Sequence, residues 1–247
     1  IAATMLLKKG DLFYNIQNYN EAIAAYRQLS EKYPESEHVP FALYWEGMAE
    51  RERGNLDAAG AAFEELRSKF PSHEYSALAS MKLGDLALES ERLGEAIEAY
   101  DTIIRNRKDD SLGIEASYKK GRAQLLSGEA SAAEQTFRDL LSRRSNDIMA
   151  FKARLELAEM ALEKENWNEA VELAEMVIGN LLDENAAHAQ YIIGNRYYLT
   201  GDYERAVDEL MRVTILYKNV KSYEEWSARS KLLMARCNIS LDKKDEA

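Results

Sequence analysis

The sequence predicts an all-α chain, an α-solenoid of antiparallel helix pairs. Its punctuation is sparse: 3 prolines and 12 glycines stand in 247 residues. Sandwiches, barrels and α/β folds need more turn residues than that. Hydrophobic residues make up 46% and charged residues 30%, which fits a folded chain rather than a disordered one. Small residues recur at one step: Gly10, Gly47, Gly84, Gly121 and Ala158 are 37 apart, and Gly194 follows at 36. A second series keeps that register with Ala22, Ala59, Ala96, Ala133, Ala170 and Ala206. A third lies four positions later: Tyr26, Phe63, Tyr100, Phe137, Ala174 and Leu210. Three series in one register define a structural repeat.

The units follow in order. The first, about 3–36, has Gly10, Ala22, Tyr26 and Pro34. The second, about 40–73, has Gly47, Ala59, Phe63 and Pro71. Its first helix is read at about 38–53. Its second is read at about 56–69, where Ala59, Ala62, Phe63 and Leu66 form one face and Pro71 blocks continuation. The third, about 77–110, has Gly84, Ala96 and Tyr100. The fourth, about 114–147, has Gly121, Ala133 and Phe137. The fifth, about 151–184, departs twice, with Ala158 for Gly and Ala174 for the ring. The sixth, about 187–220, has Gly194, Ala206 and Leu210. A final helix is read at about 222–241, the first of a seventh unit or a cap. Gly54, Gly128 and Gly201 occupy the turn inside their units, where glycine supplies the backbone angles that end a helix. The small residue of the first helix lets the second approach, and stacking the pairs gives a continuous core. A single array covering 1–247 is expected. The chain begins at Ile1, not Met, and is read as part of a longer protein.

Leu83-Gly84, an aromatic three residues beyond the small position (Phe13, Tyr197), and the turn Gly201-Asp202-Tyr203-Glu204-Arg205-Ala206 together resemble the tetratricopeptide repeat (TPR). The resemblance implies a right-handed superhelix that binds a partner protein on its inner face. The step of 37 exceeds the usual 34, so helices or loops are longer. Lys32-Tyr33-Pro34-Glu35-Ser36 followed by Ala42 to Gly47, and Lys69-Phe70-Pro71-Ser72 followed by Ser80 to Gly84, resemble bacterial envelope TPR proteins of the YbgF and BamD type. That resemblance favours a periplasmic or outer-membrane-associated location, with the cytoplasm second.

Chemistry is not signalled. No zinc-protease helix, nucleophile elbow or phosphate loop is present, and no enzyme activity, cofactor or metal is expected. His38 and His73 are read as helix starts, and His188 as a solvated polar residue. Cys237, the one cysteine, is read as packed rather than reactive. Trp167 shares its turn position with Tyr19 and Tyr203 and is read as packing. A net charge of −11 argues against nucleic acid and favours basic partners. No stretch has the length of a membrane span.

The candidate binding surface is the inner face of the first helices. Three before the small position stand Leu7, Tyr44, Met81, Tyr118, Leu155, Tyr191 and, with Ala235 as seventh member, Leu232. Four beyond it stand Tyr14, Arg51, Leu88, Leu125, Leu162, Tyr198 and Ile239. Directly after it stand polar residues, Asp11, Asp85, Arg122, Glu159 and Asn195, with Met48 the exception. The expected protein-binding residues are Tyr14, Tyr44, Met48, Met81, Tyr118, Arg122, Tyr191, Asn195 and Tyr198, a surface suited to a peptide or amphipathic helix. The competing reading is that these side chains pack against neighbouring first helices. The chain could also serve as a regulatory or assembly domain of a larger cytoplasmic protein, or self-associate into a homo-oligomer.

Overall fold

Each spacing series takes a structural role in the computed structural model, which describes residues 1–220 and 223–245. Those residues form thirteen helices and no strand. In order they are α1 (Ala2–Asn15), α2 (Tyr19–Lys32), α3 (Val39–Glu52), α4 (Leu56–Lys69), α5 (Glu74–Glu89), α6 (Leu93–Arg107) and α7 (Ser111–Leu126). There follow α8 (Ala130–Arg143), α9 (Ile148–Glu163), α10 (Trp167–Ile178), α11 (Glu184–Leu199), α12 (Tyr203–Leu216) and α13 (Tyr223–Asp245). Odd-numbered helices are the first helices of the repeats, termed A, and even-numbered ones the second, termed B. The chain divides into two compact units, Ile1–Glu129 and Ala130–Ala247. The boundary lies within the fourth repeat, between its A and B helices.

Inside a repeat, A and B are sealed by a glycine against a large side chain. A Cβ added to Gly10 would come 2.3 Å from the Tyr26 ring. At Gly47 it would come 2.6 Å from Phe63, and at Gly84 2.5 Å from Tyr100. In the second unit, Gly194 would meet the Leu210 side chain at 2.6 Å. Tyr26, Phe63, Tyr100, Phe137 and Leu210 are all fully buried. A helical glycine costs about 1 kcal/mol relative to alanine, and here no larger residue fits without displacing a ring. The fifth repeat substitutes at both ends of the contact: Ala158 and Ala174 are both fully buried in one core cluster.

The turn from A to B is the same in all six repeats. The N–H of the B helix N-cap reaches back to the fifth residue before it: Asn18 to Phe13, Asn55 to Glu50, Arg92 to Ala87, Glu129 to Gln124, Asn166 to Ala161 and Asp202 to Tyr197, at 2.8–3.0 Å. That is the six-to-one bond of a Schellman motif. It requires a left-handed residue just before the N-cap. Gly54, Gly128 and Gly201 take it with φ of 79, 81 and 78°. Gln17, Glu91 and Glu165 take the same conformation at 62, 57 and 58° without glycine. The turn glycines account for half of a motif that the other three repeats build from polar residues.

The second repeat's helices fall close to their expected bounds, at 39–52 and 56–69. In repeats three to six the A helix starts about three residues before the expected unit boundary, at Glu74, Ser111, Ile148 and Glu184. The cause is an N-cap at each start. His73 Nδ1 accepts the Tyr75 N–H at 3.2 Å, and Asp110 accepts from Gly113 at 2.9 Å. Asp147 accepts from Met149 at 2.8 Å, and Asp183 from Asn185 at 2.9 Å. These four A helices have 16 residues, against 14 for α1 and α3. The final helix runs to Asp245, beyond its expected end, and residue 222 of that expectation lies outside the described residues.

Gly47→Ala should lower the unfolding free energy by about 1–3 kcal/mol through overpacking against Phe63. Gly60→Ala, in the same repeat but with open space around the added methyl, should raise it by about 0.5–1 kcal/mol. Paired thermal or urea melts of the two variants check both signs.

Candidate protein-interaction surfaces

Nine expected binding residues are divided between the two units, and each unit carries its own surface. In the first unit lie Tyr14, Tyr44, Met48, Met81, Tyr118 and Arg122. The Tyr14 ring is half-buried and meets Trp45 edge-on at 5.0 Å and Tyr19 at 5.5 Å. Burial, with Glu52 nearby, raises its pKa. Tyr44 is drawn further in, at 9% exposure. Its ring meets Tyr75 at 4.9 Å, Trp45 at 5.6 Å and Phe63 at 5.8 Å. Met81 is 4% exposed and packs in the core built around Tyr100 and Ile103. Tyr44 and Met81 therefore form the floor of the first unit's A-helix face rather than its contact area. Consecutive A helices touch, which covers these side chains: α1 packs on α3 and α3 on α5. Met48 is half-buried against the first core cluster. Tyr118 is half-buried and Arg122 exposed, and the Arg122 guanidinium reaches the Tyr118 hydroxyl at 3.4 Å along α7.

The polar position after the glycine divides into two kinds. Asp11 accepts the Tyr26 hydroxyl at 2.9 Å, and Asp85 accepts that of Tyr100 at 2.9 Å. Where that position holds Met48 or Arg122, the ring sixteen residues after the glycine is Phe63 or Phe137. The hydroxyl thus occurs where an aspartate can receive it, a covariation readable in the sequence. Asp85 also accepts from Lys119 Nζ at 2.7 Å, which ties α7 to α5. Arg51 pairs with Glu89, tying α3 to α5. Asp11 and Asp85 are committed to the fold, not to a ligand.

In the second unit lie Tyr191, Asn195 and Tyr198, all half-buried on α11. Tyr191 tilts against Trp226 of α13 at 5.5 Å, and Tyr198 against Tyr203 at 5.8 Å. Burial raises the Tyr191 pKa. Tyr191 and Asn195 line one groove between α9 and α11, of about 420 Å³. Trp167, the first residue of α10, lines it too while packing on the adjacent core.

His188 corrects the expectation of a solvated polar residue. Its ring stacks on Trp226 at 3.9 Å and 13°, and Nε2 lies 2.7 Å from Glu159 Oε1. The Arg229 guanidinium lies 4.8 Å from the same Trp226 ring. No spacing rule joins residues 159, 188 and 226, which lie on three different A helices. Cys237 is fully buried, and burial pushes its thiol up, away from the reactive range. No helix among the described residues is long and apolar enough to cross a membrane.

Burial and the aspartate hydrogen bonds raise the Tyr26 and Tyr100 pKa values above the ordinary phenol range. A raised acid stabilises the fold fully below the unfolded value, near 10, and that contribution fades as pH climbs above it. Tyr26→Phe/Tyr100→Phe should cost about 2 kcal/mol near neutrality, about 1 kcal/mol per hydrogen bond. The gap to the parent should narrow above about pH 10, as urea melts across the alkaline range would record.

The family model described as "Tetratricopeptide repeat" matches residues 7–74, 73–111, 81–148 and 118–181, more than half of the chain. No curated protein matches the sequence. Among solved structures, a tetratricopeptide repeat protein from Parabacteroides merdae is similar at a TM-score of 0.70 and 17% identity, covering 99% of this chain and 93% of that one. The pilF protein of Pseudomonas aeruginosa is similar at 0.64 and 15%, covering 92% and 97%. YrrB, described as a TPR protein with an unusual peptide-binding site, is similar at 0.57 and 18%, covering 75% and 90%. At these identities the likenesses report the fold. Helix pairs closed by a small residue against a buried side chain, matched by one family model over more than half of the chain, make this chain a member of the tetratricopeptide repeat family.

Proposed function

We propose that the chain is a non-enzymatic scaffold that holds a partner protein or peptide on the exposed faces of its A helices. One observation carries the reading. On those helices the repeat contacts use the glycines, Asp11 and Asp85, while larger side chains beside them stay partly open. Tyr14, Met48, Tyr118 and Arg122 do so in the first unit, and Tyr191, Asn195 and Tyr198 in the second. Half-exposed tyrosine on a rigid helix gives large contact area at small entropic cost, which suits recognition. TPR proteins in general bind protein or peptide partners and are not catalysts, which supports the same reading.

We place this scaffold in the bacterial envelope. The support is the likeness of Lys32–Ser36 with Ala42–Gly47, and of Lys69–Ser72 with Ser80–Gly84, to envelope TPR proteins. Fractionation of the source cell tests the location, and recovery only in the cytosol would overturn it.

Tyr118→Ala and Tyr191→Ala, made separately and checked for unchanged helicity by circular dichroism, should each weaken capture of the cognate partner. A loss of about tenfold or more is expected where the tyrosine is a binding hot spot. Capture at parental strength by both variants would refute the reading.

A further inference from the structure

The charged side chains that line the groove between α9 and α11 are all acidic. Its walls are apolar, from Leu162, Trp167, Ile192 and Leu199, and its charged lining residues are three glutamates, Glu159, Glu163 and Glu165, with no lysine or arginine. Its volume of about 420 Å³ is that of a site for a few side chains.

The acidity at the Glu163 and Glu165 end of this groove is not answered by a neighbouring cation. Lys164 stands between Glu163 and Glu165 in sequence, but its ammonium group is drawn away to Glu134 of α8. Glu134 and Glu169 also hold Arg138. Lys164 and Arg138 are thus committed to an ion-pair network on α8 and α10, while Arg229 and Arg236 of α13 act at the Tyr191 end of the groove. Glu159 meets His188. Glu163 and Glu165 are exposed and make no ion pair among the described residues.

We propose that this groove receives a basic, amphipathic segment of a partner protein, resting on the scaffold reading above. Arginine or lysine heads lie over Glu163 and Glu165, and a neighbouring aliphatic side chain enters the slot beside Trp167 and Leu199. Arginine is preferred to lysine, because the Trp167 indole adds a cation–π partner to the carboxylates. Asn195, a half-buried amide lining the same groove, supplies a donor and an acceptor for the backbone of the segment. The specificity is electrostatic at the rim and apolar at the floor, so it discriminates strongly against acidic segments.

The test is titration of the whole chain with a fluorescein-labelled, C-terminally amidated peptide of arginine and leucine in amphipathic order. A second peptide carries glutamate in place of every arginine. The arginine peptide should bind saturably, one per chain, and weaken as salt rises. The glutamate peptide should not bind. Glu163→Gln/Glu165→Gln should weaken the arginine peptide about tenfold, which two screened ion pairs together supply. Glu31→Gln, at an exposed carboxylate of α2, should leave its affinity unchanged. Equal binding by parent and Glu163→Gln/Glu165→Gln would overturn this groove as the site while leaving the scaffold reading intact. Binding of the glutamate peptide instead would overturn the charge preference alone. Failure of both peptides would overturn the proposal, and partner capture by the Tyr118→Ala and Tyr191→Ala variants would still decide the scaffold reading separately.

Discussion

Everything in this fold depends on how closely helix B can approach helix A. The approach is set by a glycine whose missing methyl leaves room for a buried ring, as Gly10 does for Tyr26, Gly47 for Phe63 and Gly84 for Tyr100. Burying an aromatic side chain contributes about 1.5–3 kcal/mol, which outweighs the roughly 1 kcal/mol that a helical glycine costs. The contact is local to each hairpin, so each repeat makes its own seal. It also orients the A helix, and with it the side chains three before and four beyond the glycine.

Neighbouring repeats are joined by a more varied chemistry. In the first unit, Arg27 of α2 donates to Glu46 and Glu50 of α3, both at 2.7 Å. At the same register two repeats later, Lys120 of α7 donates to Asp101 of α6 at 2.6 Å. The pair keeps its place and reverses its charges. Glu50 is almost fully buried, and Arg53 and Asn55 complete its partners, as a buried carboxylate requires. Burial raises the Glu46 pKa even against the Arg27 pair. The hairpin contact thus keeps one form at Gly10, Gly47 and Gly84, while the contact between hairpins admits either polarity.

The register, the helix pairs and the turn glycines were legible because each rests on one residue type at a fixed spacing. The left-handed turns at Gln17, Glu91 and Glu165 were not, since their residue types carry no such signal and the surrounding Schellman bonds impose the conformation. The N-caps Asp110 and Asp147 are 37 apart and Asp183 follows at 36, a series that lay in the sequence and sets the longer A helices. For the surface, spacing identified which face of the A helix each side chain occupies but not its depth. Tyr44 and Met81 share a register position with Tyr118 and Tyr191, yet only the latter pair stays half-open. Depth depends on what the next repeat brings: for Tyr44 it is the Tyr75 ring at 4.9 Å. The stack of His188 on Trp226 joins separate helices and has no local signature at all.

The fifth repeat shows what the glycine–ring seal means for sequence change. Its Ala158 and Ala174 replace both members of the seal at once, and a hairpin moving between the two forms meets a cost in either order of steps. Adding the methyl first drives it into a ring, as the 2.3–2.6 Å approaches elsewhere measure. Shrinking the ring first leaves a hole, costing about 3–5 kcal/mol, which the second step then partly fills while improving helix propensity. The two positions are thus coupled, and each change is costly until the other is made. A single substitution at either one, judged without its partner, reports the pairing rather than the worth of the residue.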